Sequence, residues 1–388
     1  MSDSESDSER EEEEEALDLS VDTVVTKYKA AAEIVQRTLA EVVQMCKPGA
    51  SVVEICSAGD KLITDATGKL FNKKTDKGEK VEKGIAFPTC VSSGTAVCHL
   101  SPLAEDDVQL KDGELARIDL GCHIDGFIAV AAHTVMVQAE DKEITGRAAD
   151  VLAATRAGAE CAMRLMRPGK TSLDVADALE RVAEAYECNV VEGVLSHQMK
   201  RFVIDGNNVV LNKGSPDYRA EEFEFKENEV YAVDVVMSTG EGKPQMKDEK
   251  QTSVYKRALD RNYQLKMKAS RSLFSEISIK FPALPFTLRA LDEPRKKLGI
   301  VELVNHDLVQ PYPVLHEKEG ECVAHLKFTL LLMPNGTDKA TGLDLQPHLS
   351  EKAIEDEEIK ALLATSLKTK KKKNKKKKKD GEGDAMES

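Results

Sequence analysis

Tryptophan is absent from this 388-residue sequence, and all aromatic residues together make up only 4% of it. No aromatic pair of the kind that stacks bases in RNA-recognition domains is visible, and no helix-turn-helix pattern. Any nucleic acid is therefore expected to be read by shape and charge. No stretch approaches the roughly 20 consecutive apolar residues of a membrane span, so membrane insertion is not expected. The first residues do not read as a secretory leader. Residues 1–15 hold nine acids and one arginine, the opposite of a positively charged and then apolar start, and the chain is expected to stay inside the cell. Its eight cysteines (46, 56, 90, 98, 122, 161, 188 and 322) include no CxxC pair and no zinc-finger spacing, and they read as reduced thiols of core segments.

What is present is a strong charge asymmetry. The net charge of −13 conceals ten lysines between residues 368 and 379 with no acid among them: Lys368, Lys370, Lys371, Lys372, Lys373, Lys375, Lys376, Lys377, Lys378 and Lys379. Such a block attracts polyanions by counterion release whatever the global charge, and it does not distinguish DNA from RNA. Further bases, Lys256, Arg257, Lys266, Lys268 and Arg271, lie in a segment of helical periodicity, and residues 69–83 form a lysine-rich loop. Both read equally well as part of a nucleic-acid-facing surface or as plain solvated faces.

The order of elements bounds the fold. Residues 1–19 are acidic and serine-rich and read as a disordered tail. Val25, Tyr28, Ala32, Val35, Leu39 and Val42 then recur at helical spacing up to Lys47-Pro48-Gly49, and Ser51 caps a second helix. Strands follow, then a long helix from Gly146 to Arg167, another from about Ser172, and a second set of strands. Residues 253–310 read as a helical insertion into that second half. After Pro347 the core pattern stops; 351–367 are expected to carry one short helix, and the lysine block lies in a 351–388 tail. Strand runs alternating with helix pairs indicate an α/β (α+β) domain over 20–350, with helices on one side of an antiparallel sheet.

Within this frame Asp119 stands out, because it sits inside an apolar strand of the stretch 114–137, joined to the next strand through Gly121 and Gly126. A buried carboxylate must hold a cation, accept several hydrogen bonds or face a cavity. His123 and Asp125 flank the turn and read as an exposed hairpin tip. His133, His306, His316, His325 and His348 share no ligand spacing and read as surface or half-buried side chains.

Several motifs, IAFPT with CH and SP beyond it, RIDLG with HIDG, LSH at 195–197, YAVD at 231–234, QPYPVL at 310–315 and FTLLLMPNG, occur in an order that resembles the type 2 methionine aminopeptidases. The resemblance implies the pita-bread fold of the creatinase and aminopeptidase type. The enzymes' two metals are held there by two aspartates, a histidine and two glutamates. Carried over residue by residue, these positions fall on Asp119, Val130, His197, Asp234 and Lys327. The reaction-assisting histidine falls on His99, and a second one on Asp205. Val130 offers no donor atom, and Lys327 puts an ammonium where a bridging carboxylate belongs, free to pair with Asp119 and Asp234. No metal, cofactor or catalytic residue is expected.

VVTKYKAAAEI, GIAFPT, DGFIA, LSHQMK, YAVDV, LKMK, PFTLRA and the lysine-rich end more closely resemble the proliferation-associated, ErbB-receptor-binding proteins, non-catalytic relatives of those enzymes. That resemblance implies a protein that binds ribosomes, ribosomal RNA or other structured RNA, together with regulatory proteins of receptor or transcription-factor type. It further implies action on growth, ribosome biogenesis and translation, in cytoplasm, nucleus and nucleolus. The alternatives are an active metal-dependent methionine aminopeptidase, a DNA-binding chromatin or transcription factor, a weak single-metal site on Asp119, His197 and Asp234, and a metal-free ligand pocket. IKALL at 359–363 is similar to a leucine motif for nuclear-receptor-type partners, with isoleucine in place of its first leucine, and helix packing onto the domain competes with that reading. Ser2, Ser4, Ser6 and Ser8 stand beside acids that suit acid-directed kinases.

Overall fold

The computed structural model describes residues 17–74, 78–140, 142–214, 220–293 and 295–368. The first helix pair, α1 (Asp22–Met45) and α2 (Val52–Thr67), follows the apolar spacing closely. Ser51 caps α2 by accepting a hydrogen bond from the Glu54 amide at 3.1 Å. Strands β1 (Lys83–Ser93), β2 (Ala96–Cys98), β3 (Leu115–Ile124) and β4 (Phe127–Met136) come next, then helices α3 (Gly146–Leu165) and α4 (Ser172–Ala185). The second strand set comprises β5 (Asn189–Val190), β6 (Leu195–Met199), β7 (Val209–Leu211), β8 (Val230–Ser238) and β9 (Gln245–Met246). The insertion contributes β10 (Val254–Arg257), α5 (Lys268–Lys280), β11 (Phe286–Thr287), α6 (Lys296–Asn305) and β12 (Val309–Tyr312). The chain closes with β13 (Leu315–His316), β14 (Val323–Met333), β15 (Gly336–Lys339) and α7 (Glu357–Leu363).

A nine-stranded sheet runs in the order β1-β3-β4-β14-β8-β6-β7, with β15 on β14 and β5 on β8, and its pairings are antiparallel. Register assigns its two faces. Phe328 of β14 lies opposite Ala131 of β4; Ala131 packs into the core beneath α1 and α2, and Phe328 into the core beneath α3 and α4. Both helix pairs therefore cover one face of the sheet. The alternate residues point to the other, concave face. There Asp119, Ala132, Lys327 and Asp234 are successive cross-strand partners on β3, β4, β14 and β8, so residues from both halves of the chain are set side by side. This is the mixed α/β, pita-bread arrangement that the sequence predicts.

Three expectations need correction. The insertion is not helical throughout: its first bases, Lys256 and Arg257, lie on β10, paired with β11 and β12 in a small sheet. Tyr255, Phe286 and Val309 build the core of that sheet together with Leu273 and Leu303 of its helices. Gly121 does not make the β3–β4 turn. It sits mid-strand, where an added Cβ would lie 2.9 Å from Val130 Cγ1. The turn is Asp125-Gly126, both at positive φ (55° and 78°), a pair suited to a tight two-residue hairpin. That tip is covered, because Phe202 packs against Gly126 and His123 is buried. Asp125 binds Lys27 at 2.5 Å and Arg201 at 2.6 Å.

At the ends, Leu19 lies within the stretch assigned to the tail but is buried in the cluster that contains Val24 and Tyr28. At the other terminus Asp356 caps α7, accepting from the Glu358 and Ile359 amides, and binds Arg181. Ile359 is buried against α3 and its neighbours. Residues 1–16, with their acids and serines, and Lys370 to Lys379 lie outside the described residues.

Candidate functional site

Lys327 Nζ lies 2.7 Å from Asp119 Oδ2 and 2.9 Å from Asp234 Oδ2. All three side chains are buried. The register explains the closeness, since in-register partners on adjacent strands stand about 5 Å apart and a lysine is long enough to span the intervening Ala132. Burial alone would push the Lys327 ammonium down, but the two carboxylates outweigh it and hold its pKa well above the ordinary lysine value. Burial likewise works to raise the Asp234 carboxyl, and Lys327 and His325 overcome it and hold it far below the usual carboxylate range. Lys327 and Asp234 therefore remain charged together.

His325 is the residue that sequence reasoning missed. It was expected at the surface or half buried, yet it is buried with Nε2 2.7 Å from Asp234 Oδ1. The signal was available: His325 is two residues before Lys327 on one strand, and a period of two puts both on the same face. His133, grouped with it, is also buried, and burial pushes its imidazole down to about 4.

The remaining pocket residues surround this triad. His99, at φ 63°, packs in a three-ring cluster with Phe87 and Tyr312 (centroids 6.0 and 5.4 Å). Its Nδ1 is 3.1 Å from the Pro313 carbonyl, which can only accept, so the proton resides on Nδ1 and Nε2 is bare. Burial pushes His99 down to about 4 and lowers His197 as well. His197 Nδ1 and Asp119 Oδ1 are buried with no hydrogen-bond partner among the described residues. Val130 shares a strand face with Ala132, beside Asp119, and its own amide and carbonyl are engaged by Thr329 and Thr341. Asp205 does not reach the triad as a catalytic group would; it holds Lys256, Nζ to Oδ1 at 2.6 Å.

A pair of divalent metals does not fit these residues. The position of the second aspartate carries an isopropyl group. The position of the bridging glutamate carries an ammonium that already occupies the space between the two remaining carboxylates. A dication there would face that charge at close range, costing several kcal/mol even at an effective dielectric of about 20. Among the described residues no group of three or more His, Cys, Asp or Glu side chains is arranged to hold a metal ion.

Of the basic residues, Lys256 is engaged by Asp205, and the Arg257 guanidinium lies 5.5 Å from the Phe274 ring centre. Lys266, Lys268 and Arg271 are exposed, with Arg271 donating to the carbonyls of Leu265 and Lys266. Lys368, the first lysine of the block, is exposed and bridges to Gly336 through the backbone. Among the described residues no helix is long and apolar enough to cross a membrane.

Comparison with known proteins places this geometry. The model of metallopeptidase family M24 matches residues 26–254. A potato protein named ERBB-3 binding protein 1 is 58% identical over 96% of this chain and 95% of its own length. Proliferation-associated protein A of Dictyostelium discoideum is 45% identical over 90% of this chain and 91% of its own. A fission-yeast protein named curved DNA-binding protein is 40% identical over 90% and 92%. Among solved structures, a thermophilic Arx1 superposes with a TM-score of 0.82 at 31% identity, covering 90% of this chain and all of that one. The methionine aminopeptidase of Thermotoga maritima shares the fold alone, with a TM-score of 0.55 and 18% identity over 83% of this chain and 98% of its own.

Proposed function

Because this chain belongs to metallopeptidase family M24, in its proliferation-associated, ErbB-receptor-binding branch, we propose that it is a non-enzymatic regulator of cell growth that acts by binding ribosomes and structured RNA. The observation that carries the non-enzymatic part is the Lys327 ammonium seated between Asp119 and Asp234. It neutralises from within the carboxylates that active relatives present to metals. The binding part rests on the lysine block and on the exposed bases Lys266, Lys268 and Arg271. These carry the phosphate contacts, with affinity that falls steeply as salt rises. Work on ribosome biogenesis and translation, in cytoplasm, nucleus and nucleolus, with receptor-type or transcription-factor-type protein partners, belongs to this reading.

Elemental analysis of protein purified with manganese, cobalt or zinc supplied, together with a methionine-release assay on a peptide, tests the first part. The expected result is no stoichiometric metal and no release. Two metal ions per chain with methionine release would overturn it and restore the aminopeptidase reading. A second reading, a DNA-binding factor, is favoured by the name of the fission-yeast relative. Competition between ribosomal RNA and duplex DNA at physiological salt separates the two, and preference for the RNA is expected.

A further inference from the structure

The small sheet of the insertion, β10 with β11 and β12, lies over the row formed by Asp119, Lys327 and Asp234. Its register gives it two faces. Tyr255 and Val309 point into the insertion's own core, and the alternate residues Val254, Lys256 and Tyr312 share the opposite face. That face meets the concave side of the main sheet. Val254 belongs to one apolar cluster with Phe87, Cys90, Val130 and Ala232. The Tyr312 ring stands 5.5 Å from that of Phe87, and Lys327 Nζ lies 5.5 Å from the Phe87 ring centre. Beneath this cover Asp119 Oδ1 and His197 Nδ1 are buried without a hydrogen-bond partner among the described residues. Buried polar atoms left unpaired cost free energy that contact with water restores, so the covered state is biased toward opening.

The two sides of the cover are fastened unequally. On the β1 side Arg289, which follows β11, binds Asp60 at 2.8 Å, the Ser101 hydroxyl at 2.7 Å and the Pro102 carbonyl at 3.1 Å. Asp60 in turn accepts the Thr89 amide of β1 at 2.7 Å, and the Ser253 hydroxyl, next to β10, donates to the Ser101 carbonyl. Both members of the Arg289 and Asp60 pair are largely buried. On the opposite side of the main sheet, beyond β6, Lys256 Nζ donates to Asp205 Oδ1 at 2.6 Å, and the Asp205 side chain is 45% exposed. A buried pair with several further hydrogen bonds resists release, whereas a half-exposed pair is weak and screened by salt. The cover therefore has a firm attachment on one side and a light one on the other.

We propose that the small sheet is a lid: it swings on the Arg289 anchor, releases at the clasp between Lys256 and Asp205, and opens the triad to solvent while the rest of the fold stays intact. The lid rests on the geometry of the triad and its cover, and not on the nucleic-acid reading.

Cys90 reports the opening. It is the cross-strand partner of Asp119, on the same concave face, and is buried beneath the lid. Cys122 lies on the other side of the main sheet, in the core beneath α1 and α2, and becomes accessible only when the fold opens as a whole. Alkylation of the full-length protein with iodoacetamide, followed thiol by thiol by mass spectrometry, gives for each cysteine a rate relative to that in the denatured chain. Cys90 is expected to react roughly tenfold or more faster than Cys122 on this scale. Equal protection of the two thiols would overturn the lid. Asp205→Asn should speed Cys90 about two- to fivefold, the range that a half-exposed ion pair supports, and leave Cys122 unchanged. An unchanged Cys90 rate, or an equal rise at both thiols, would overturn the proposal. The unaltered chain supplies a second measurement: raising salt to about 0.5 M, where the Debye length shrinks to about 4 Å, should speed Cys90 in the parent and not in Asp205→Asn. The same response in both proteins would overturn the clasp.

Discussion

Lys327 stands at the one place where its replacement separates the two readings of the pocket. Lys327→Met leaves Asp119 and Asp234 buried without their cation, and breaking a buried pair in this way costs about 3–5 kcal/mol. Chemical denaturation should show a loss of that size, and a neutral outcome would mean that the triad is not closed in solution. The double variant Val130→Asp with Lys327→Glu puts carboxylates at the two positions that lack them, with Asp234 still standing where the resemblance implies a glutamate. Its thermal midpoint should rise when manganese or cobalt is added, whereas the parent's should not move. The buried histidines make a separate prediction. His99, His123 and His133 are pushed down to about 4 by burial, and His123 Nδ1 accepts the Gly126 amide at 3.2 Å, which requires a bare nitrogen. The unfolded chain titrates near 6.5, so between pH 6.5 and 4 it takes up protons that the folded chain refuses. Stability must fall as pH drops through that window, by up to roughly 3 kcal/mol per histidine. Asp234, with its lowered pKa, acts only further down: its contribution is intact above pH 4 and is lost as pH falls toward its folded value. A melting temperature flat from pH 7 to 4.5 would contradict the histidine argument.

At the scale of elements, the insertion and the last helix are each fastened to the rest of the fold by identifiable contacts. Arg289 binds Asp60 of α2 at 2.8 Å and Ser101 at 2.7 Å, and both ends of the ion pair are largely buried. This latch fastens the insertion to the first half of the sheet. Arg289→Ala should cost about 3–5 kcal/mol and speed hydrogen exchange across residues 253–312 more than elsewhere; uniform exchange would deny the latch its local role. In α7, Ile359 is 2% exposed, and Leu362 and Leu363 pack on the same core. The leucine-type motif is thereby turned inward, and Ile359→Ala is expected to cost about 2–4 kcal/mol and to expose residues 350–368 to proteolysis. The helices around the sheet were legible in the sequence because each is amphipathic at a spacing of three and four. The small sheet of the insertion was not, because strands of two to four residues are too short to display a period of their own. Lys256 and Arg257 could be seen as bases but not as a pair divided between Asp205 and Phe274, since those contacts join residues far apart in the chain.

For the whole molecule, the fold and the row of Asp119, Ala132, Lys327 and Asp234 depend on the same fact, the antiparallel register of four strands. The sequence shows an aspartate, a lysine and another aspartate each inside an apolar strand. The motif order says that these strands are neighbours, and the alternation says that the three side chains share a face. What it does not disclose is the covered Asp125 turn, where burial is decided by the segment 200–205, with Phe202 against Gly126 and Arg201 on Asp125. With Lys327 seated between Asp119 and Asp234, the proposed function looks for its interactions on the surface and the charged ends. Ribosome fractionation on sucrose gradients, comparing the full chain with one lacking residues 368–379, tests that claim most directly. The account predicts co-sedimentation of the full chain that weakens as salt rises, and a shift of the shortened chain to the free fractions at physiological salt. Equal co-sedimentation of the two would contradict it.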